Sequence, residues 1–363
     1  MANLANYWAA ENCDVTLLTF DDGSTPAFYD LDRRIDHKPL DLATNSQNSV
    51  IGIKNNFRRV KVLRRAIRDS QPEVVISFMN ITNVIALIAT RGLNIPVFVA
   101  EHTDPAMSPS AAVWRWLRLL TYSRAAAVVV LSKGAKDYFA PSLRVPIRVI
   151  PNPVLPAIEV TKKECELKQP FIAAMGRLVQ LKGFDILLNA FAQIKDKHPE
   201  WMLNVMGEGP RRSELELLRD SLGLKDRVRF IGVVKNPSTI LKQAELFVMP
   251  SHYEGFPMAL CEAMACGVAV ISTDCSSGIR EIIRNEADGL LVPKSDIPTL
   301  ALAMDRLMKD KSERMRLAVQ DTEVTTRFSI ERVMAEWDDL LRCQNNSRAE
   351  YALPQSSVKS HVV

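Results

Sequence analysis

The sequence predicts two doubly wound α/β domains joined by a short linker, and three observations carry that expectation. Short β-branched and apolar runs alternate with amphipathic helical stretches along most of the chain, the pattern of βαβ units and parallel sheets. At 363 residues the chain exceeds what one hydrophobic core organises, so two domains of roughly 150 residues each are expected. The stretch VLPAIEVTKKECELKQ, residues 154–169, is polar and aperiodic and divides the pattern in two.

In the first domain, 1–153, the strand candidates are VTLLTF (15–20), VVISFM (74–79), PVFVAEH (96–102), AAVVVLS (126–132) and IRVIPNP (147–153). In the second, 170–328, they are FIAAMGR (171–177), LNVMGEG (203–209), VRFIG (228–232), LFVMPS (246–251), VAVIST (268–273) and GLLVP (289–293). A terminal amphipathic helix is expected over 329–344, with Ile330, Val333, Met334, Trp337 and Leu340 or Leu341 at helical spacing and Ser329 as N-cap. Residues 345–363 hold few large apolar side chains and are expected to be disordered.

Composition limits the function classes. Hydrophobic residues at 47% and charged residues at 24% belong to an ordinary globular protein. No run approaches the roughly 18 to 20 apolar residues of a membrane span, and the first residues lack the basic and apolar regions of a signal peptide. A cytoplasmic location is therefore expected, on or near the inner face of the membrane for the reasons given below. The six cysteines, at 13, 165, 261, 266, 275 and 343, form no CxxC pair and read as structural thiols. The net charge of +4 is uneven: residues 1–150 hold 18 Lys and Arg against 13 Asp and Glu, and the rest 28 against 29. With so small a total and no recognised binding motif, nucleic acid is not an expected partner.

The chemistry concentrates in the second half. In AAMGRLVQLKGFD a strand ends at Gly176, and Arg177 and Lys182 follow, where the carboxyl ends of strands bind ligands in such sheets; two cations there suit a phosphate or diphosphate. MGEGPRR repeats the arrangement, with Gly207 and Gly209 allowing a tight turn and Pro210 suited to a first helical turn. It lacks the third glycine of the dinucleotide fingerprint, and a plain strand-to-helix turn explains it equally well. LFVMPSHYEGFPMALCEAMACGVAVIST then reads as strand, loop, helix, strand. Pro257 is expected at the first helical position, Gly267 just past the end, and the helix is apolar on every side except at Glu262. Its N-terminus faces whatever lies beyond the strand ends. A carboxylate on such a helix needs compensation, from a structural cation or from a ligand with a vicinal diol such as ribose. Glu254, in the loop before the helix, would reach another part of the same ligand.

These segments, GRLVQLKGFD, MGEGPRR and PSHYEGFPMALCEAMACGVAVIST with its two glutamates, resemble the donor-binding domain of the retaining GT-B glycosyltransferases with the E-x(7)-E pattern, the family 4-like enzymes. The likeness spans nearly the whole second half, and TDCSSGIREII is similar to a bacterial branch acting on lipid-linked saccharides and surface polysaccharides. The resemblance implies a retaining glycosyltransferase that moves a hexose or N-acetylhexosamine from a nucleotide sugar, a UDP-sugar above all, to a lipid-linked or surface glycan acceptor. It implies donor binding by Gly176, Arg177, Lys182, Gly207, Glu254, Gly255, Phe256, Pro257, Leu260 and Glu262, with Arg177 and Lys182 on the diphosphate, Glu262 on the ribose and Glu254 at the sugar. It implies metal independence, since two cations and a helix N-terminus can stabilise the leaving diphosphate. Asp30-Leu31-Asp32 spells the metal motif of a different transferase fold, but it follows no hydrophobic strand.

His102 closes PVFVAEH. By itself it reads as an ordinary loop residue; the resemblance implies contact with the transferred sugar and a same-face attack in which the donor phosphate takes the acceptor proton. KNNFRRVKVLRRAIR (54–68) holds seven cations and no acid, among them Arg58, Arg59, Lys61, Arg64 and Arg65, and WRWLRLLTYSRA adds Trp114, Trp116 and three arginines. These helices form either a solvated basic face or a contact with anionic lipid or a lipid diphosphate acceptor. The chain opens inside a helix, whereas the family opens on a strand and Gly-rich loop, so the first domain is expected to lack that strand and loop. Two alternatives stay open: a non-catalytic or impaired nucleotide-sugar-binding protein, and a nucleotide-sugar epimerase or phosphorylase of similar architecture.

Overall fold

The computed structural model describes residues 1–43, 49–103, 112–157, 169–321, 323–349 and 360–362. They form two compact units, Met1–Pro151 together with Val333–Val363, and Asn152–Arg332. Most of the expected linker, 158–168, lies outside the described residues.

The first unit holds a parallel sheet of strands β1 (Thr16–Thr19), β2 (Asp36–Pro39), β3 (Val74–Phe78), β4 (Val97–Glu101), β5 (Ala127–Val130) and β6 (Ile147–Val149). A seventh strand, Ser360–Val362, comes from the far end of the chain and is β13 in chain order. The spatial order is β2-β1-β13-β3-β4-β5-β6. β13 runs parallel to β3, with Ser360, His361 and Val362 opposite Val74, Val75 and Ile76, and meets β1 at Leu17. It sits at the centre, where a doubly wound sheet ordinarily carries its first strand. Here the described chain begins with a helix, Ala2–Ala10, that buries Leu4, Ala5, Trp8 and Ala9.

One expectation is corrected, and two further features lie outside the expected elements. The tail from residue 345 is not uniformly without order: the terminal helix runs from Ile330 to Ala349, and Ser360–Val362 pairs as β13. From Val333 onward that helix belongs to the first unit, because its apolar stripe of Val333, Met334, Trp337, Leu340 and Leu341 is buried and Trp337 stands edge-on to Trp8 at 6.1 Å. Strand β2 went unpredicted because DHKP is polar and ends in proline, a composition tolerated at a sheet edge, which is where it lies.

The second unit holds β7 (Phe171–Met175), β8 (Met202–Met206), β9 (Val228–Gly232), β10 (Leu246–Met249), β11 (Val270–Thr273) and β12 (Leu290–Val292). All pair parallel in the order β12-β11-β10-β7-β8-β9. β7 and β10 are neighbours from which the chain winds in opposite directions, so their carboxyl ends flank the switch point where such sheets bind ligands. The strand interiors are apolar because helices cover both faces: Ile172, Leu203, Val248 and Ile271 pack with Leu187, Phe191 and Met304 in one core.

Candidate functional site

The site is built from the segments that leave β7, β8 and β10. After β7 the chain passes Gly176 and Arg177, makes one 3₁₀ turn over Gln180–Lys182, and enters the helix Phe184–Ile194 through Gly183. Gly183 has φ +62°, and a Cβ there would stand 2.2 Å from the Pro250 carbonyl oxygen. A Cβ on Gly207, at φ +136°, would stand 2.0 Å from the Gly176 oxygen, and one on Gly209 would stand 2.4 Å from that of Leu178. No side chain fits at these three positions, and that is why the loops can lie directly on one another. Backbone hydrogen bonds fasten them: Gly176 N–H to Met206, Leu178 N–H to Glu208, and His252 N–H to Leu181.

At the centre of this platform the Lys182 Nζ donates to Glu254 Oε1 at 2.5 Å, and the Ser251 hydroxyl donates to the same oxygen at 2.6 Å. Glu254 is 9% exposed, so cation and hydroxyl together compensate a carboxylate that burial would otherwise penalise. Sequence reasoning placed Lys182 and Glu254 at different parts of a ligand; the structure joins them directly. It overlooked Ser251, and no spacing rule singles out that residue. Arg177 is exposed, and its guanidinium has no partner among the described residues.

Glu262 lies in the helix Met258–Ala265, which Pro257 caps and Gly267, at φ +70°, follows. Although its sequence is apolar on every side except at Glu262, this helix is not buried all round. Leu260, Cys261, Ala263 and Met264 are buried, whereas Met258, Glu262 and Ala265 share a half-buried face. Pro257 stands at the cap rather than inside the first turn, and no side chain caps the helix start. Glu262 has no hydrogen bond or ion pair among the described residues, and burial pushes its carboxyl up to about 7. The structural cation that could have explained it is therefore absent from its surroundings among those residues. Gly255 is half-buried, and Phe256 and Pro257 are buried; Phe256 stacks edge-on with Phe328 at 5.2 Å. The arginines of MGEGPRR are committed elsewhere, Arg211 to Asp185 and Glu214, Arg212 to Glu208 and Glu216.

The remaining candidates belong to the first unit. His102 follows β4, its ring 5.2 Å from that of Phe78, and burial lowers its imidazole to about 4, so it is neutral at cellular pH. The helix Ser49–Ser70 is not a freely solvated basic face: Arg58 meets Asp41, Arg59 donates to the Leu42 carbonyl, Arg64 donates to the carbonyls of Ala89 and Arg91, and Arg65 meets Asp69. Lys61 is exposed. On the helix Ala112–Tyr122, Trp114 packs partly into the core while Val113, Trp116 and Leu120 are exposed along one stripe. Asp32 is bonded to the side chain and backbone of Arg34. Among the described residues no three His, Cys, Asp or Glu side chains are grouped to hold a metal ion, and no helix is long and apolar enough to cross a membrane.

Sequence reasoning also missed a buried polar group beneath the end of β4. Tyr122 donates to Glu101, Asn83 donates to Tyr122 and to the Ala100 carbonyl, and Arg118, 1% exposed, lies 5.0 Å over the Phe139 ring. Arg118 had counted as one more surface cation, and its helical spacing gave no warning.

Residues 1–157 match the family model for Glycosyltransferase Family 4 and residues 158–323 that for Glycosyl transferases group 1. An α-1,4-N-acetyl-D-galactosaminyltransferase of Campylobacter jejuni, named for a PP-undecaprenol-linked saccharide, is 28% identical over 94% of this chain and 93% of its own. Two solved structures share the fold. Sucrose-phosphate synthase from Thermosynechococcus elongatus superposes with a TM-score of 0.83, at 21% identity over 95% of this chain and 92% of the other. Anabaena HepE in complex with UDP and glucose gives 0.75, at 17% identity over 94% of each chain.

Proposed function

We propose a donor, a chemistry and an acceptor for this chain, which belongs to the retaining GT-B glycosyltransferases of group 1 and family 4 and transfers a sugar from a nucleotide sugar. The donor is a UDP-sugar carrying a hexose or N-acetylhexosamine, and the acceptor is a lipid-linked saccharide. The observation that carries the donor site is Glu262, a half-buried carboxylate without a cation, on a helix whose uncapped start follows the loop that holds Glu254. A pair of ribose hydroxyls satisfies such a carboxylate with two hydrogen bonds and favours its ionised form.

Arg177 and Lys182 take the diphosphate with the N–H groups at the start of the Met258–Ala265 helix, which stabilises the charge that grows as the bond to the sugar breaks. Glu254 holds the sugar hydroxyls, and Lys182 keeps that carboxylate in place before the donor arrives. The acceptor hydroxyl attacks the face the diphosphate leaves, and its proton passes to a phosphate oxygen. No separate base is required. His102, neutral, offers a hydrogen bond to the transferred sugar. Binding without a metal follows from the same cations. The exposed Lys61, Phe57 and Trp116 suit an anionic membrane surface, in keeping with the lipid-linked substrate in the Campylobacter relative's name.

Calorimetry with UDP tests the reading. Glu262→Ala is expected to lower UDP affinity about tenfold or more, the scale of lost charge-assisted hydrogen bonds. Glu254→Ala is expected to keep UDP binding and lose transfer. UDP binding to Glu262→Ala as tightly as to the native chain would sink the assignment. For the membrane contact, equal flotation with neutral and anionic vesicles is the outcome that defeats it.

A further inference from the structure

The first unit carries a second place where the chain leaves polar groups without partners, and none of the donor chemistry uses it. Strand β3 ends at Phe78, and the helix Asn80–Ala89 begins two residues later. Met79 joins them at φ +75° and ψ 137°, a conformation side-chain-bearing residues seldom adopt, and it supplies no side-chain cap to the helix. The Asn80 side chain is 8% exposed, and neither its amide oxygen nor its amide nitrogen has a partner. The Ser77 hydroxyl, fully buried, has none either. Asn83, one turn further on, is half satisfied: its nitrogen donates to the Ala100 carbonyl and to Tyr122, and its oxygen has no partner. Orphaned groups thus run from the strand end through the first helical turn, alongside the first N–H groups of the helix, which have no intrahelical acceptor.

We propose that Ser77, Asn80 and the start of this helix form a saccharide subsite that takes hydroxyl groups of the acceptor; the word acceptor rests on the transferase reading above. Three features select a sugar. An amide offers one donor and one acceptor side by side, and a hydroxyl is the group that both gives and takes. Asn80 Oδ1 disfavours an anion, and the helix N–H groups, although they favour negative charge most, also donate to the oxygen of a neutral hydroxyl. Met79 and Ile81, 50% and 42% exposed, supply an apolar rim for the carbon face of a sugar ring. Burial of an unpaired amide is unfavourable in the free protein, and a ligand that pairs it removes that penalty only when bound. Asn80 therefore acts as a substrate-contact residue and a source of acceptor selectivity.

The test reads Asn80 itself. The chain is labelled with 15N-asparagine, its Asn80 side-chain amide signal is identified by its loss in Asn80→Asp, and N-acetyl-D-galactosamine, N-acetyl-D-glucosamine, D-glucose, D-galactose and inorganic phosphate are titrated in turn. A saturable shift with at least one sugar and none with phosphate is the expected result. No shift with any of the four sugars, or any shift with phosphate, overturns the proposal. Asn80→Asp keeps the helix, since an acidic side chain suits its first turn. It is expected to leave UDP affinity unchanged while acceptor kcat/KM falls about tenfold or more; unchanged acceptor kinetics also overturns it. Should UDP fail to bind the native chain, the UDP-donor reading falls, and the sugar titration still decides the subsite.

Discussion

The two sheets are built alike and completed differently. In the second unit the switch point between β7 and β10 is closed by loops in which three glycines admit direct backbone contact, and its carboxylate Glu254 is already paired. In the first unit the corresponding central place is filled by β13, three residues from the far end of the chain, and the carboxyl ends of β3 and β4 keep unsatisfied atoms on Ser77, Asn80, Asn83, Glu101 and Arg118. Among the described residues the second unit has such atoms only on His252 and Ser276. The donor unit carries its order locally and in advance. The other unit borrows a strand and leaves polar groups waiting.

The sharpest way to break this contrast is at a glycine of the donor platform. Gly183→Ala sets a Cβ 2.2 Å from a backbone oxygen that cannot retreat like a flexible side chain, and adds left-handed strain. A loss of about 3 kcal/mol or more in urea unfolding, together with UDP binding, is expected; a loss under about 1 kcal/mol would mean the loops are not in fixed contact. Next comes the borrowed strand. A chain ending at Ala349 is expected to lose about 1–2 kcal/mol and amide-exchange protection at Val74–Phe78 and Leu17, leaving Phe171–Met175 untouched. Equal protection of β3 in both chains would show that β13 adds nothing.

The third test is a titration. The Glu262 carboxyl is raised from 4.5 to about 7, so between those values the folded chain binds more protons than the unfolded one, and stability falls as pH rises through that window. Glu262→Gln is expected to flatten this slope and to stabilise the free protein above pH 7 by up to about 3 kcal/mol, with little change at pH 4, as read by thermal melts across pH. UDP binding to the native chain should release protons near pH 7. The smallest effect is expected at Arg118→Met, which exchanges an under-partnered buried guanidinium for an apolar chain of similar length. Stability should change by no more than about 1 kcal/mol in either direction. Burial drives the Glu101 carboxyl up to about 7, and the nearby Arg118 opposes that; its removal should raise Glu101 further, visible by carboxyl NMR.

Most of the architecture was legible because apolar runs bounded by glycine and proline coincide with buried strands. Every strand from β3 to β12 was marked in this way. β2 and β13 were not, since DHKP and SHV lack the apolar alternation on which such reading depends, and β13 exists only through partners 286 and 345 residues away in sequence. The donor glycines and glutamates were visible from spacing after strands. The Lys182 to Glu254 pair was not, because it joins residues 72 positions apart, and neither was the burial of Arg118, whose environment is set by Tyr138 and Phe139 on another helix.

β13 also sets a clock. Residues 152–332 leave the ribosome as one continuous piece and can close their sheet as soon as β12 has followed β11, whereas the first unit cannot complete its own until residues 360–362 have emerged. The unit encoded first is thus the one finished last, and during synthesis the edges of β1 and β3 stay open to any extended segment that reaches them.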